Sequence, residues 1–206
     1  GSNNPDGVEI KKQKDADGKP LDGVPFHPYY TVKDTFGIGI FLTLYLAIVF
    51  FIPEFGGWFL EKDNFAPADI LQTPPDIVPL WYLTPYYSIL RAVTFEWLPG
   101  GAKLWGVIAM GAAIVIFFFL PWLDRSRVRS IRYRGWMYKT MLTLFALTFV
   151  MLGYLGTKNP GHVDLFWFEN VTWAQIGLIV YFAFFLLMPI YTRLDKTRAE
   201  PDRLTK

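Results

Sequence analysis

The sequence predicts an all-α membrane protein of four transmembrane helices, with one further short interfacial helix inside a long outer loop. Three observations lead there. Hydrophobic residues make up 52% of the chain, and the 18% that are charged collect in clusters instead of being spread as on a soluble surface. Four charge-free runs, residues 35–53, 104–123, 140–157 and 170–192, are 19, 20, 18 and 23 residues long, each about the 20 residues that cross a hydrocarbon core. The basic residues, finally, are segregated: of twenty Lys and Arg, all but Lys62, Arg91, Lys103 and Lys158 fall before the first run, between the second and third, or after the fourth. Buried helices of a soluble protein would need a much larger polar shell than this chain carries.

An even number of crossings returns the chain to its starting side, so the segregation also sets an orientation. By the tendency of cytoplasmic loops to carry Lys and Arg, both termini and the Arg-rich loop are expected in the cytoplasm, and the loop over residues 54–103 outside. A net charge of +2 hides this pattern.

Residues 1–34 form the expected cytoplasmic segment. Its first half, KKQKDADGKPLDG, reads as a solvated loop or hairpin with Asp17-Gly18 at a turn. Its second half, VPFHPYYTVKD, brings Phe26, Tyr29 and Tyr30 to the interface, and His27, Lys33 and Asp34 to the mouth of the first span. The first thirty residues lack the apolar core of a signal peptide. The chain begins without Met, which is expected of a processed, split or fragmentary product.

The membrane domain, residues 35–192, begins with the span 35–53. The outer loop of residues 54–103 carries six prolines and is longer than a connection requires. Within it, the stretch TPPDIVPLWYLTPYYSILR (residues 73–91) has fourteen uncharged residues between Asp76 and Arg91, too few to cross a bilayer. It is expected to fold back into protein, where irregular backbone is tolerated at depth if protein buries it or it lines a cavity. Prolines 74, 75 and 79 extend its start, and a helix from about Trp81 to Ala92 follows. The span 104–123 holds Gly106 and Gly111, which permit close helix contact. After the Arg-rich loop and the span 140–157, Phe166, Trp167, Phe168 and Trp173 read as an interfacial belt. The span 173–192 and a cytoplasmic tail, residues 193–206, complete the chain.

Several chemistries are excluded for this chain by its residues. With no cysteine it forms no disulfide, iron–sulfur or thiolate metal site. Its two histidines, His27 and His162, lie outside the spans on opposite predicted faces, which argues against haem ligation or a His-rich metal site within the chain. No phosphate loop, nucleophile elbow or nucleic-acid motif is present.

Two groups remain. On the inner face Lys33 and Asp34 have the chemistry to donate and accept protons at the carbonyls of a quinone-like ring; as a lysine at a helix end, Lys33 equally suits a snorkelling anchor. On the outer face Trp81, Tyr82, Tyr86 and Tyr87 border a place for a flat apolar ring, with Asp76 the nearest carboxylate, or they belong to the aromatic belt.

Four ordered motifs add a resemblance. GSNNPDG (residues 1–7), PFHPYYTVKD (25–34), TPPDIVPLWYLTPYYSILR (73–91) and LPWLDRSRVRSIRYRGW (120–136) resemble the C-terminal half of cytochrome b from quinol–cytochrome c reductases, over nearly the whole chain. The resemblance implies helices five to eight of that family, and implies that Gly1-Ser2 is native sequence. It further implies an inner quinone-reduction site of Ser2, Asn3, Phe26, Lys33 and Asp34, with Lys33 and Asp34 taking up protons. It implies an outer quinol-oxidation site of Ile77, Pro79, Leu80, Trp81, Tyr82 and Tyr87. Where the family has Pro-Glu-Trp-Tyr, this chain has Pro79-Leu80-Trp81-Tyr82, so the family carboxylate is replaced by a group that neither binds nor passes a proton. Tyr87, with water and Asp76, is expected to take part of that task. The implied substrate is a quinol, taken as ubiquinol, and haem b is implied in the parent assembly with its ligands on another chain or segment. The implied partners are the N-terminal haem-binding half, a Rieske-type iron–sulfur protein and a cytochrome c subunit in a dimeric complex among membrane lipids, and the implied location is the bacterial cytoplasmic (inner) membrane. A structural membrane piece without chemistry is the alternative, and a transporter subunit a weaker one, because the four runs hold no ionisable Asp, Glu, Lys or Arg.

Overall fold

The computed structural model describes residues 4–57, 65, 67, 71, 77–97 and 99–204. Among them every regular element is helical: α1 (Tyr29–Phe51), α2 (Thr84–Ala92), α3 (Gly101–Val115), α4 (Leu120–Leu123), α5 (Trp136–Gly156), α6 (Asn170–Leu186) and α7 (Met188–Leu194). Short 3-10 turns at Phe55–Gly57, Ile116–Phe119 and Ile131–Tyr133 and isolated β-bridges, Lys14 to Pro20 and Leu165 to Phe168, occur outside them among the described residues. The chain divides into two compact units, Gly1–Val8 with Pro75–Pro201, and Glu9–Pro74 with Asp202–Lys206.

In the smaller unit, α1 has no buried residue. Its uncharged run is apolar all round, which suits lipid or partner helices on every side. The helix starts at Tyr29, six residues before the expected span, because nothing in YYTVKD breaks it; Lys33 and Asp34 therefore stand on its second turn. The preceding hairpin has the expected turn. Gly18 takes a positive φ of 76°, Asp15 N–H donates to the Lys19 carbonyl at 2.8 Å, and Lys12 and Arg203 pair with Asp202 and Asp22.

The larger unit packs α2 against α3, α5 and α6. Gly101–Leu123 and Trp136–Gly156 are long and apolar enough to cross a membrane, as is Tyr29–Phe51 in the other unit. The first of these passes through a 3-10 stretch at Ile116–Phe119 before α4. The fourth expected span is bent. Between α6 and α7 the axis turns by 57°, and Pro189 sits in the first turn of α7, where its missing N–H prevents a continuous hydrogen-bond ladder. The Phe184 carbonyl at this break accepts from the buried Tyr191 hydroxyl at 2.9 Å.

The core of this unit is aromatic. Phe145 of α5 stacks on Phe184 of α6 at 4.5 Å, Phe117 meets Phe185 edge-on at 5.0 Å, and the buried Tyr181 hydroxyl donates to the Ala113 carbonyl at 2.8 Å. Ile89 and Ala92 of α2 belong to the same buried cluster.

Candidate functional site

Residues 77–83 lead into α2 through turns instead of a helix. The Leu83 N–H donates to the Leu80 carbonyl at 2.7 Å, and the Thr84 hydroxyl to the Trp81 carbonyl at 2.7 Å. The helix expected from Trp81 thus begins at Thr84, with Pro85 in its first turn, where proline's absent N–H would have had no helical partner. This later start separates the three tyrosines. Tyr82 lies before the helix, edge-on to Trp81 at 5.6 Å. Tyr86 points into the bundle and meets Phe149 at 5.9 Å. The ring of Tyr87 carries the Arg91 guanidinium at 5.0 Å, a cation–π pair. Ile77, Leu80, Trp81 and Tyr82 are exposed together and Pro79 is half-buried beside them. Asp76, the expected nearby carboxylate, lies outside the described residues.

The opposite face of α2, Thr84, Pro85, Ser88, Ile89 and Ala92, is buried, with the i, i+4 spacing of one helical side. Glycines make its seat. A methyl on Gly156 would collide with the Thr84 carbonyl, and one on Gly106 with the Leu90 carbonyl. Gly106 therefore has the role expected of it, whereas Gly111 faces open space. At the far end of α2, Gln175 of α6 donates to the Ala92 carbonyl at 3.2 Å and to Thr94 at 3.1 Å, and Arg91 donates to the Lys158 carbonyl. The element too short to span is thus folded back into protein, at the end of the bundle where α3 starts, α5 stops and α6 starts.

Phe26, His27, Lys33 and Asp34 lie in the smaller unit. Phe26 stacks with Tyr30 at 6.3 Å, and the Lys33 Nζ sits over the Tyr30 ring at 5.3 Å. His27 Nδ1 is 3.3 Å from the Thr31 hydroxyl. Lys33 and Asp34 are both exposed and successive in a helix, so they project about 100° apart. Ser2 and Asn3 lie outside the described residues.

Sequence reasoning missed a polar clasp at the end of the larger unit opposite α2. Asp6 accepts from Arg132 Nη1 and from the Tyr133 hydroxyl, each at 3.1 Å, and Ser130 donates to the Pro5 carbonyl. Glu200 accepts from the backbone N–H groups of Arg129 and Ser130 at 2.6 and 2.7 Å. Gly7 has φ of 75°, and a side chain there would meet Glu200. Burial, and then donation to Asp6, hold the Tyr133 hydroxyl above its usual pKa of 10.0. The Asp6-Gly7 pair is a turn signal, but nothing in it names the partner. Beside this clasp, Arg134 Nη2 donates to Asp124 Oδ2 at 2.6 Å.

Haem ligation needs imidazoles facing one another inside a bundle. His27 precedes α1, and His162 lies in the loop before α6, so this donor set does not fit the group. Among the described residues no three His, Cys, Asp or Glu side chains converge as metal ligands do.

The family described as "Cytochrome b(C-terminal)/b6/petD" matches residues 67–182. Cytochrome b of Allochromatium vinosum is 48% identical, over 100% of this chain and 48% of its own length. Cytochrome b of Rhodospirillum rubrum is 45% identical, over 97% and 44%. A solved chain of a hyperthermophilic respiratory Complex III superposes with a TM-score of 0.72 at 34% identity, over 94% of this chain and 44% of that one. The chain spans about half the length of the relatives it matches.

Proposed function

Because the chain belongs to the cytochrome b C-terminal family, we propose that it is the C-terminal half of cytochrome b in a respiratory quinol–cytochrome c oxidoreductase. It acts within that complex and is inactive alone. Residues 1–34 contribute to an inner quinone-reduction site, residues 35–192 are the membrane domain, and residues 193–206 are a tail on the inner side.

The observation that carries this reading is α2. It is a helix of 9 residues buried along one side at one end of an apolar bundle, and it leaves Ile77, Leu80, Trp81 and Tyr82 on an exposed edge. Irregular backbone placed this way at a membrane edge suits the wall of a ligand site. Trp81 and Tyr82 offer flat apolar surface to a quinol ring, and Tyr87 contributes a hydroxyl at the border. Leu80 excludes water there but takes no proton, so a proton released from quinol leaves through Tyr87, water and Asp76. On the other side Lys33 and Asp34 deliver protons to quinone. Release outside and uptake inside are what couple the redox reaction to a proton gradient. Haem b supplies one-electron chemistry in such complexes. Neither histidine here fits it, so in this reading it belongs to the N-terminal half, and no electron step rests on this chain. The remaining partners are a Rieske-type iron–sulfur protein and a cytochrome c subunit.

Sidedness follows from charge. Sixteen of twenty basic residues fall on one predicted face, which places both termini in the cytoplasm and the α2 edge outside. Purification of the tagged chain from native membranes tests the assignment. The expected preparation holds haem b and the N-terminal half, and reduces cytochrome c with quinol. A stable, colourless preparation without partners would instead favour a structural membrane piece.

A further inference from the structure

At the end of the larger unit opposite α2 lies a cavity of about 530 Å³, between α4, the start of α5 and the α6–α7 bend. Its size is that of a ligand site, roughly 300–1,000 Å³. Its two ends differ in chemistry. The deep end is closed by Phe145 and Phe184 in their 4.5 Å stack, with Leu120 and Leu142 along the walls. Tyr138 and Phe145 both line it, so it follows α5 for about 10 Å at 1.5 Å per residue. The other end is charged: Arg129 and Arg134 line it together with Asp124.

Arg134 is the informative residue. Its side chain is 8% exposed, its guanidinium lies 4.2 Å over the Tyr138 ring, and Nη2 donates to Asp124 at 2.6 Å and more weakly to the Val128 carbonyl at 3.4 Å. Its Nε and Nη1 are buried with no hydrogen-bond partner. A guanidinium presents donors in a fork suited to carboxylate and phosphate oxygens, and an unmet buried donor costs about 1–3 kcal/mol. Asp124 faces this guanidinium, Arg129 lines the same end, and the Glu200 carboxylate accepts from the backbone N–H groups of Arg129 and Ser130.

An unsatisfied guanidinium fork at the mouth of a hydrocarbon slot that runs along a membrane-crossing helix fits one class of molecule, an amphiphile with an anionic head. We propose that this cavity binds one anionic phospholipid, its phosphate at Arg134 and Arg129 and one acyl chain lying past Leu120 and Leu142 to the Phe145–Phe184 stack. A free phosphate would meet the arginines but leave the apolar depth unfilled. The site does not depend on the quinol reading. It tethers α4, α5 and α7 at the leaflet where basic pockets between helices hold anionic head groups.

Native mass spectrometry of the assembled complex in mild detergent tests this, with the wild type compared with Leu142→Trp. That substitution fills the deep end and leaves the Arg134–Asp124 pair intact. The expected result is one anionic phospholipid fewer per copy of the chain in Leu142→Trp, with the wild-type lipid retained in excess inorganic phosphate. Arg134→Gln should show the same loss if it assembles, and Leu142→Trp carries the test if it does not. Four results would overturn the proposal: equal lipid in wild type and Leu142→Trp, loss of a zwitterionic lipid instead, displacement by inorganic phosphate, or release of a polypeptide from the variant.

Discussion

Leu80 stands 39% exposed where the family resemblance places a glutamate, and the turn that holds it is fixed by backbone hydrogen bonds, so its side chain can change without moving its neighbours. Leu80→Glu is therefore expected to preserve assembly while adding a titrating limb to the pH profile of quinol oxidation, read by steady-state kinetics across pH. Asp124→Asn removes the charge opposite a guanidinium that is 8% exposed; breaking a buried pair from one side costs about 3 kcal/mol, visible as a lower thermal midpoint in detergent. Tyr133 adds a pH effect with a definite sign. Its pKa is raised above 10.0 in the folded chain, so its contribution to the clasp on Asp6 is intact below about pH 10. That contribution is lost as pH rises through the higher folded value, and proteolysis at the N-terminus should accelerate there in the wild type more than in Tyr133→Phe. None of these partners was legible in the sequence. A charge in an Arg-rich loop reads as solvated until the fold buries it.

The spans were legible because lipid tolerates few charges, so length and the absence of charge together mark each crossing. Local exceptions came from backbone chemistry that a hydropathy pattern does not register. Pro85 moved the start of α2 from Trp81 to Thr84, which put Tyr82 outside the helical row and turned Tyr82, Tyr86 and Tyr87 toward three different neighbours. Pro189 split the fourth span into α6 and α7 at a 57° bend. There, Tyr191→Phe would strip the Phe184 carbonyl of its hydroxyl donor, at about 1–3 kcal/mol for an unmet buried acceptor, measurable by thermal unfolding. The glycine seat of α2 gives a contrast. Gly156→Leu should shift α2 and cost about 1–3 kcal/mol by overpacking, with quinol oxidation falling at least tenfold, while Gly111→Ala, facing open space, leaves both unchanged.

For the whole molecule, the central claim is that one face of the membrane domain handles quinol and the other handles quinone. The chain has no cysteine, so single cysteines report its sidedness cleanly. Arg127→Cys should react with an impermeant maleimide only from the cytoplasmic side, and Val163→Cys only from outside. The outer quinol site itself is reached most directly by photolabelling the assembled complex with an azido-quinone and mapping the labelled peptides. The account predicts label within residues 77–87, abolished by competing quinol. Label confined to other chains, or unaffected by quinol, would contradict it.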